Sequence, residues 1–523
     1  MARRTTGRDC PPPETMLPVD CLYRGLSIAP DGIAVEDETR RLTYRELVAR
    51  VEAMAGAYQA MLPGKQNVIA TGGKNTIEHL IAILAIYVSG NIWTALNPRS
   101  GPVDNDALIA TVEPKLIVAD EDMLDRFTPT AAPLVIADPM GSKPPDESVA
   151  ALAAHYAERR AARPVLEPTE LQSIKFTGGS TGRPKAVMLP YRTQNAVIAN
   201  MLASFPFTSD EVHLCVAPIT HAAGTYILPV FAQGGRHIMM RKPVPALILD
   251  ALERRGVTLL FLAPTMIYTL LAEPGVAERR YPALRHMIYG AASMPAEKVR
   301  AARTAFGPVI ETSYGQTEAP QVISAVTAAE YDDERNLASV GRPCIFNRVE
   351  IMSPDNAILP PGATGEIVVR GDLVMKGYYR NPEATAAAII DGWLHTGDVG
   401  YRDGRGYLFI KDRLKDVVIT GGFNVYPADV EGVLVRHPAV YESVVFGVAD
   451  DKWGERVEAA VQLRPGAKAE PAELAAFVKE RLGSAKAPKI VHLVEDLPRN
   501  HLGKVLRREV RARFDRPDRR LAV

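Results

Sequence analysis

Short apolar runs that end in small or polar residues recur along this chain, and segments with helical periodicity separate them. Four such runs lie at 212–217, 257–262, 286–289 and 309–310. Strands that alternate with helices predict a mostly parallel sheet with helices on both faces. Ligands of such sheets bind at the carboxyl ends of the strands, so we expect the turns after these runs to share one site.

The sequence changes character twice towards its C-terminus. From residue 339 the apolar runs become shorter and glycine turns separate them, which indicates a small β-rich subdomain. A charged break at 412–416 precedes strands and helices that suit a separate α+β domain. We therefore predict an α/β protein whose large, multi-subdomain N-terminal region, 1–412, has mostly parallel sheets flanked by helices plus the β-rich subdomain. A small α+β C-terminal domain, 413–523, follows it.

Composition and charge exclude several classes of protein. The 523 residues exceed one ordinary domain and carry 61 basic and 61 acidic side chains, so no basic field indicates a nucleic-acid partner. Four scattered cysteines suit neither a disulfide framework nor a zinc site, and we expect a reduced, cytoplasmic setting. The polar N-terminus lacks an apolar core, so we expect no secretory signal there. The most apolar stretch, 77–88, is too short to span a bilayer and predicts a buried helix.

A glycine-rich stretch at 176–187, FTGGSTGRPKAV, follows an apolar run that reads as a strand. Glycines let the backbone turn its N–H groups towards a ligand, and hydroxyls and a lysine add donors and a positive charge. Such a loop suits a polyphosphate. The residues that we expect to contact it are Thr177, Gly178, Gly179, Ser180, Thr181, Gly182 and Lys185.

Three other known loop types are alternatives for this stretch. A Walker A loop is excluded because Arg183 and Pro184 separate Gly182 from Lys185. The G-x-S-x-G pattern around Ser180 fits the nucleophile elbow of a serine hydrolase, but an elbow enters a helix at once and Pro184 disfavours that. An ordinary glycine-rich surface loop is the third interpretation.

Five further segments carry a resemblance to a known family. They are YGQTE at 314–318, GEIVVRG at 365–371, HTGD at 395–398, DRLKDVVITGGFNVYPADVE at 412–431 and LPRNHLGKVLR at 497–507. In this order and spacing, with the glycine-rich loop, they make the chain resemble the adenylate-forming superfamily of acyl-CoA synthetases, adenylation domains and luciferases from about residue 30 to about residue 508. Small departures stand at Phe176, Gly178 and Ala186, and Pro190-Tyr191 replaces a common Thr-His.

The resemblance implies a nucleotide site built from several of these segments. Glu318 is expected to hold Mg²⁺ against triphosphate oxygens, a role that suits a carboxylate, and Thr317 to donate to the α-phosphate. Asp398 and Arg413 are expected at the ribose, and Tyr314 is expected to stack on adenine. The backbone expected beside the nucleotide comprises Gly290, Ala291, Ala292 and Gly315.

Catalysis and motion are also implied by the resemblance. Lys504 is expected to bridge the substrate carboxylate and the α-phosphate, where a point cation stabilises charge between two anions. Lys415 stands at the hinge position about which a mobile C-terminal domain would pivot, presenting Gly421 and Gly422 to the thiol nucleophile. His221 is expected near the substrate carboxylate. The expected catalytic residues are therefore Lys504, Glu318, Thr177 and His221.

The resemblance implies an acyl-CoA synthetase that uses ATP, Mg²⁺ and CoA to activate a small-molecule carboxylic acid. No acidic residue lies at 218–229, where amino-acid-activating relatives usually carry an aspartate, so a simple acid is expected, whether fatty, aryl or other. Three alternatives stay open: a ligase that loads a separate acyl-carrier protein, a serine hydrolase that uses Ser180, and a non-catalytic nucleotide- or acyl-binding paralogue. The sequence also leaves a homodimer open.

Overall fold

The computed structural model describes residues 16–98, 100–137, 146–159, 161–177, 184–450, 452–499 and 505–515. The chain divides into two compact units, and each is described here by itself. Unit 1 comprises Met1–Leu202, Pro206–Arg241 and Met375–Arg380. Unit 2 comprises Ala203–Phe205, Lys242–Val374 and Asn381–Val523.

Unit 1 alternates strands with helices, as the sequence predicts. Its elements, numbered along the whole chain, are α1 Asp20–Ile28, β1 Ile33–Glu36, β2 Arg41–Thr43, α2 Tyr44–Met61, β3 Val68–Gly72, α3 Ile77–Val88, β4 Ile92–Ala95, α4 Pro102–Val112, β5 Leu116–Ala119, β6 Leu134–Ile136, α5 Val149–His155, β7 Leu171–Thr177, β8 Lys185–Pro190, most of α6 Tyr191–Ser204, β9 Val212–Cys215, α7 Ile227–Gln233, β10 Arg236–Met239 and β18 Gly377–Tyr378.

The sheets of unit 1 are parallel inside and antiparallel at their edges. One has the strand order β18-β8-β7-β4-β3-β5-β6, in which the pairs from β7 to β6 are parallel and β8 and β18 are antiparallel. In the other, β9, β10 and β1 pair in parallel and β2 lies antiparallel to β1. Parallel strands are covered on both faces, which is why their apolar runs are continuous and buried.

Two helices of unit 1 follow directly from local sequence, and the second is the buried helix predicted at 77–88. Thr43 caps α2 by accepting a hydrogen bond from the Glu46 N–H, and the Glu46 carboxylate accepts one from the Thr43 N–H. Helix α3 is buried over almost its whole surface, from Ile77 to Val88. Among the residues that the structure describes, no helix combines the length and the hydropathy needed to cross a membrane.

Unit 2 begins with the same alternation and then becomes richer in strands. Its elements are α8 Pro245–Arg254, β11 Leu259–Leu262, α9 Pro264–Leu271, β12 His286–Tyr289, α10 Ala296–Phe306, β13 Ile310–Gln316, β14 Ala319–Val326, β15 Arg342–Pro343, β16 Arg348–Met352, β17 Gly365–Arg370, α11 Pro382–Ala388, β19 Ile389–Ile390, β20 Trp393–Arg402, β21 Leu408–Arg413, β22 Val418–Thr420, β23 Phe423–Val425, α12 Pro427–Leu434, β24 Val440–Asp450, β25 Gly454–Leu463, α13 Pro471–Leu482, β26 Ile490–Val494 and α14 Arg507–Phe514.

Three sheets organise unit 2, and they confirm the predicted fold class. Strands β11, β12 and β13 are parallel, with β14 and β15 added antiparallel. The predicted β-rich subdomain is an antiparallel sheet, β16-β17-β20-β19, with β21 beside β20. The C-terminal α+β region has the order β23-β22-β25-β24, with β26 parallel to β25 and its own core.

Three fully buried histidines lie in the interior of unit 1. His79 on α3 bonds the Lys74 carbonyl through Nδ1, at 2.9 Å, and the Thr71 hydroxyl through Nε2, at 3.0 Å. His213 and His237 face each other across β9 and β10, with 3.0 Å between their Nδ1 atoms. Burial lowers the pKa of His79 to about 4 and the pKa of His213 to about 3, and it holds the pKa of His237 well below its usual value. All three are therefore neutral near pH 6.

Acid should destabilise unit 1 through these three histidines. In the unfolded chain these histidines take up protons below about pH 6.5, whereas the folded unit keeps them neutral, so the free energy of unfolding falls as pH falls. Between about pH 6 and about pH 5 we expect a slope of roughly 1.4 kcal/mol per pH unit for each histidine. Urea unfolding followed by Trp93 fluorescence, in a Trp393→Phe/Trp453→Phe background, measures it.

His79→Gln provides the matched control. Glutamine can bond the same two partners but does not titrate, so the slope should drop by about one third. A stability that does not change with pH in this window, or an unchanged slope in the variant, would contradict the assignment of the three neutral histidines.

Candidate active site

Thr317 and Glu318 form the two-residue turn of a hairpin in unit 2. Gln316 at the end of β13 pairs with Ala319 at the start of β14, which leaves the two side chains half-buried on the turn. Glycine is required at Gly315, since a Cβ there would lie 2.5 Å from the backbone nitrogen of Gln321. The strand geometry thus places a hydroxyl and a carboxylate side by side at the carboxyl end of β13.

A second turn leaves the adjacent parallel strand. Gly290 follows β12, and a Cβ there would approach the Ser313 carbonyl oxygen to 2.9 Å. Ala291 adopts a left-handed φ of 67°, which is costly for a residue with a Cβ, and Ala291 and Ala292 are exposed. The backbone after β12 is therefore exposed at the carboxyl end of the strand, next to β13, with which β12 pairs.

A buried carboxylate links three strands of unit 2. Asp398 on β20 is 3% exposed and accepts a hydrogen bond of 2.6 Å from the Tyr314 hydroxyl on β13. Its other oxygen lies 2.6 Å from Arg413 Nε on β21, where the two residues are register partners. A carboxylate offers about four lone-pair sites, so one that makes these contacts can also accept hydrogen bonds from the hydroxyls of a ligand.

Hydrogen bonds to β17 fix the turn that carries Asp398. Glu366 on β17 accepts a 2.8 Å hydrogen bond from the Gly397 N–H and contacts His395 Nδ1 at 2.8 Å through its other oxygen. The Thr396 hydroxyl donates to the Ile367 carbonyl, at 2.6 Å. Because these bonds fix both sides of the turn, Asp398 is positioned before any ligand binds.

Electrostatics in this cluster follow from burial and from the shared charges. Burial, with the Asp398 charge second, raises the pKa of the Tyr314 phenol well above its usual value, so the phenol stays a hydrogen-bond donor. Desolvation, helped by the charges of Arg413 and Arg507, lowers the pKa of Lys415. Lys415 lies in a short 3-10 turn, Leu414–Asp416, directly after β21.

Arg507, at the start of α14, contacts three carboxylates around this turn. Its guanidinium lies 3.2 Å from Asp412, 3.2 Å from Asp416 and 2.8 Å from Glu431. Burial acts to lower the pKa of Arg507, but the three carboxylates outweigh it and raise that pKa. Burial also raises the pKa of Glu431 against the pull of Arg507. The predicted hinge segment is thus tied to α14 by one cation.

Gly421 and Gly422 form the tight turn between β22 and β23. Both have positive φ, 55° and 81°, and Thr420 pairs with Phe423, which is the geometry of a two-residue hairpin turn. A Cβ at Gly421 would lie 2.7 Å from the Trp453 ring. Backbone conformation and packing therefore both favour glycine here, and the turn presents backbone rather than side chains.

Unit 1 holds the other predicted site residues. Thr177 ends β7 and is the register partner of Lys185, which begins β8 and lies over the Tyr378 ring at 4.7 Å. The predicted phosphate contacts Gly178, Gly179, Ser180, Thr181 and Gly182 lie outside the described residues.

The segment after the glycine-rich loop bears on the serine-hydrolase alternative. The chain enters a strand at Lys185, and this strand runs antiparallel to β7. A nucleophile elbow instead leads from its strand directly into a helix. The strand at this point is therefore evidence against a hydrolase that uses Ser180.

His221 is half-buried, and its Nδ1 lies 2.9 Å from the Thr220 hydroxyl. It precedes the 3-10 turn Ala222–Tyr226, in which a Cβ on Gly224 would collide with the Ile219 carbonyl oxygen. This close packing fixes the backbone around His221. Lys504 lies outside the described residues, so its role stays a prediction.

The structure thus brings Tyr314, Asp398 and Arg413 together and places Lys415 on the turn that follows Arg413. Glu366 and Arg507 are positioning residues to which the sequence alone assigns no role. Glu366 stands in the segment GEIVVRG and Arg507 in LPRNHLGKVLR, so both belong to segments that carry the resemblance. The resemblance was the available signal for them, and their contacts supply the role.

Comparison with known proteins gives matches over nearly the whole chain. The model of the AMP-binding enzyme family matches residues 25–379, and that of the AMP-binding enzyme C-terminal domain matches residues 429–504. The medium/long-chain-fatty-acid–CoA ligase FadD8 of Mycobacterium tuberculosis is 35% identical over 91% of this chain and 86% of its own length. A feruloyl-CoA synthase of an Amycolatopsis species is 34% identical over 94% of this chain and 98% of its own length.

A further curated relative and a solved structure also match most of the chain. The fatty acid–[acyl-carrier-protein] ligase ScoC of Streptomyces coeruleorubidus is 30% identical over 93% of this chain and 94% of its own. Among solved structures, ATP-bound MatB from Rhodopseudomonas palustris matches with a TM-score of 0.86 at 31% identity, over 96% of this chain and 99% of that one.

The fixed position of Asp398 leads to a testable expectation for nucleotide binding. Asp398→Asn keeps the shape of the side chain but removes its charge. If Asp398 binds ribose hydroxyls, the wild-type protein should bind ATP about tenfold or more tightly than dideoxy-ATP, and the variant should lose most of this difference. Calorimetric titration of both nucleotides into both proteins gives the four binding constants, and their comparison shows how far the effect of the ribose hydroxyls depends on the Asp398 charge.

Asp403→Asn, in the turn after β20, is the matched control, because Asp403 bonds Arg405 and lies in the same sheet region. It should retain the wild-type discrimination. If the wild type and Asp398→Asn prefer ATP over dideoxy-ATP to the same degree, Asp398 does not bind the ribose hydroxyls.

Proposed function

This chain belongs to the AMP-binding enzyme family, and we propose that it is a carboxylate–CoA ligase that forms AMP and pyrophosphate. The observation that carries the proposal is the Tyr314–Asp398–Arg413 cluster, in which a buried carboxylate is fixed against β13, the strand that leads into the turn at Thr317 and Glu318. FadD8 and the feruloyl-CoA synthase, which match this chain over most of its length, support CoA as the acceptor.

The reaction has two steps. An oxygen of the substrate carboxylate attacks the α-phosphorus of ATP, the bond to the oxygen that bridges to the β-phosphate breaks, and pyrophosphate leaves. The CoA thiolate then attacks the acyl carbon, and the bond to the AMP oxygen breaks to give the thioester. Neither step requires a protein nucleophile, so positioning and electrostatic stabilisation supply the rate.

The residues around the nucleotide have distinct tasks in this proposal. Asp398 and Arg413 orient the ribose, with Glu366 holding the turn that carries Asp398. Backbone after β12 and the Tyr314 side chain receive adenine, and Thr317 donates to the α-phosphate.

In this proposal, residues of unit 1 bind the phosphates of ATP and the carboxylate of the substrate acid. Thr177 and Lys185, at the two ends of the glycine-rich hairpin, contact the phosphates with the loop between them. His221 lies near the substrate carboxylate, where the packed turn at Gly224 holds its backbone in place.

Glu318 is the residue that would hold Mg²⁺. Its carboxylate is half-buried on a tight turn next to Thr317, and carboxylate oxygens shared with substrate phosphates suit this hard cation. When bound, Mg²⁺ neutralises triphosphate charge.

The C-terminal region, 413–523, is proposed to move as a domain about Lys415. The two family models leave 380–428 between them, and Lys415 lies within this interval. Arg507 links the hinge turn to α14 through Asp412 and Asp416. A pivot at Lys415 would therefore either break these ion pairs or move their partners together. In one orientation Lys504 serves adenylate formation, and in the other the Gly421-Gly422 turn meets the thiol.

A carrier protein is the second candidate acceptor, because the relative ScoC is named as a ligase for an acyl-carrier protein. The phosphopantetheine thiol of such a carrier is chemically the same nucleophile as CoA. The acceptor therefore has to be distinguished by experiment.

Pyrophosphate release tests the proposal. With ATP, Mg²⁺ and a panel of short, medium, long-chain and aryl carboxylates, release should depend on the acid and should accelerate when CoA is added, with acyl-CoA as product. Release that CoA does not change, but that a phosphopantetheinylated carrier accelerates, would favour the second acceptor. No release with any acid, although ATP binds, would overturn the ligase and favour a binding protein.

Lys504→Ala separates the two half-reactions. We expect the variant to lose adenylate formation while it still forms thioester from a supplied acyl-adenylate, because the first step joins two anions and the second does not. Single-turnover assays of each half-reaction measure this. Lys489→Ala is the control, since Lys489 bonds the nearby Ser484 carbonyl on the surface and should change neither step. Equal loss of both steps in Lys504→Ala would refute the two-state mechanism.

A further inference from the structure

A cavity lies inside unit 1, beneath the segment that carries His221. Its walls are mainly apolar and come from α3, β4, α6 and the residues after His221, with Leu84, Trp93, Ile198 and Leu228 among them. The cavity encloses about 550 Å³, including the part open to solvent, and the centre of a water molecule can occupy about 40 Å³ of it. This leaves room for roughly three water molecules, or for the end of a ligand.

One cation lines this apolar cavity. Lys175 lies on β7, and its Nζ lies 5.3 Å from the centre of the Trp93 ring. Burial alone lowers its pKa to about 8, with no contribution from a neighbouring charge. Within the described part of the chain, no carboxylate pairs with its ammonium group. Lys175 is half-buried and its ammonium lies over the Trp93 ring, so its charge is partly desolvated, and pairing with an anion would offset that cost.

A second polar group lines the same cavity. Gln172, which directly follows Leu171 on β7, is 1% exposed, and its Oε1 has no hydrogen-bond partner among the residues that the structure describes. Its amide can present an oxygen or N–H donors to a ligand. A mostly apolar cavity with a few polar groups in its wall is the usual form of a small-molecule site.

We propose that this cavity receives the distal end of the substrate acid and that Lys175 pairs there with a second carboxylate, so that the preferred substrates are dicarboxylic acids. The inference rests on the proposed function, because it assigns one end of the acid to the site near His221. Ile219 and Gly224, which lie on either side of His221 in the sequence, line the cavity, so the two sites share this segment of unit 1. A terminal carboxylate needs little space, and the available volume fits it.

Lys175→Met tests the pairing against a matched set of substrates. Linear acids of equal chain length are compared, one ending in a carboxylate and the other in a methyl group, and kcat/KM is measured by pyrophosphate release. The wild-type protein should prefer the diacid. The variant should shift the ratio towards the monoacid by about tenfold or more, since a charge-assisted hydrogen bond is lost and an apolar wall is gained.

Three measurements keep a structural effect apart from recognition. Thermal unfolding should show that Lys175→Met is folded and at least as stable as wild type, because it removes a desolvated charge. Lys175→Arg should keep the diacid preference in part. Lys65→Met, a change of a lysine that pairs with Glu170 at the surface, should leave the preference unchanged.

The outcomes also separate this inference from the proposed function. No pyrophosphate release from any acid in the wild-type protein would overturn the ligase itself. Release from both acids with a ratio that Lys175→Met does not change would leave the ligase in place and overturn the role of Lys175.

Discussion

The buried carboxylate of Asp398 is the constraint on which the candidate site depends. One side chain joins β13, β20 and β21, because Tyr314 donates to one oxygen and Arg413 contacts the other. A buried charge of this kind is tolerated only when it is paired and hydrogen-bonded. Glu366 extends the constraint to β17 through the backbone of Gly397. The parallel strands and the β-rich subdomain of unit 2 are thereby fixed relative to each other at the point where a ligand would bind.

In the hinge segment, one cation is shared by several carboxylates. A single guanidinium, that of Arg507, serves Asp412, Asp416 and Glu431, so these four groups together carry more negative than positive charge. Breaking one of these half-buried ion pairs leaves a charge without its partner, so any motion about Lys415 is easiest if the contacts are exchanged and not simply broken. The raised pKa of Glu431 provides one route, because a protonated Glu431 would reduce the excess negative charge.

Local signals in the sequence predict much of the fold. The capping box of Thr43 and Glu46 lies within four residues, and the apolar stretch 77–88 needs no partner to be recognised as a buried helix. Helix α5, Val149–His155, is harder to predict, because a helix of only 7 residues gives little periodicity. The roles of Glu366 and Arg507 depend on contacts between residues distant in sequence, which no local pattern encodes. The segments that carry the resemblance locate the site, but not its internal hydrogen bonds.

Lys175 illustrates why residues that oppose local stability are informative. It lies on a strand that enters the glycine-rich loop, and its neighbours Ile174 and Phe176 are apolar. Stability would favour an apolar side chain at Lys175 too, since desolvation already lowers its pKa to about 8. Proteins keep a destabilising group of this kind where function needs it, and stability is then traded for activity. A ligand that supplies a negative charge would remove the cost, so the acid that binds best should be the one that stabilises the folded chain most.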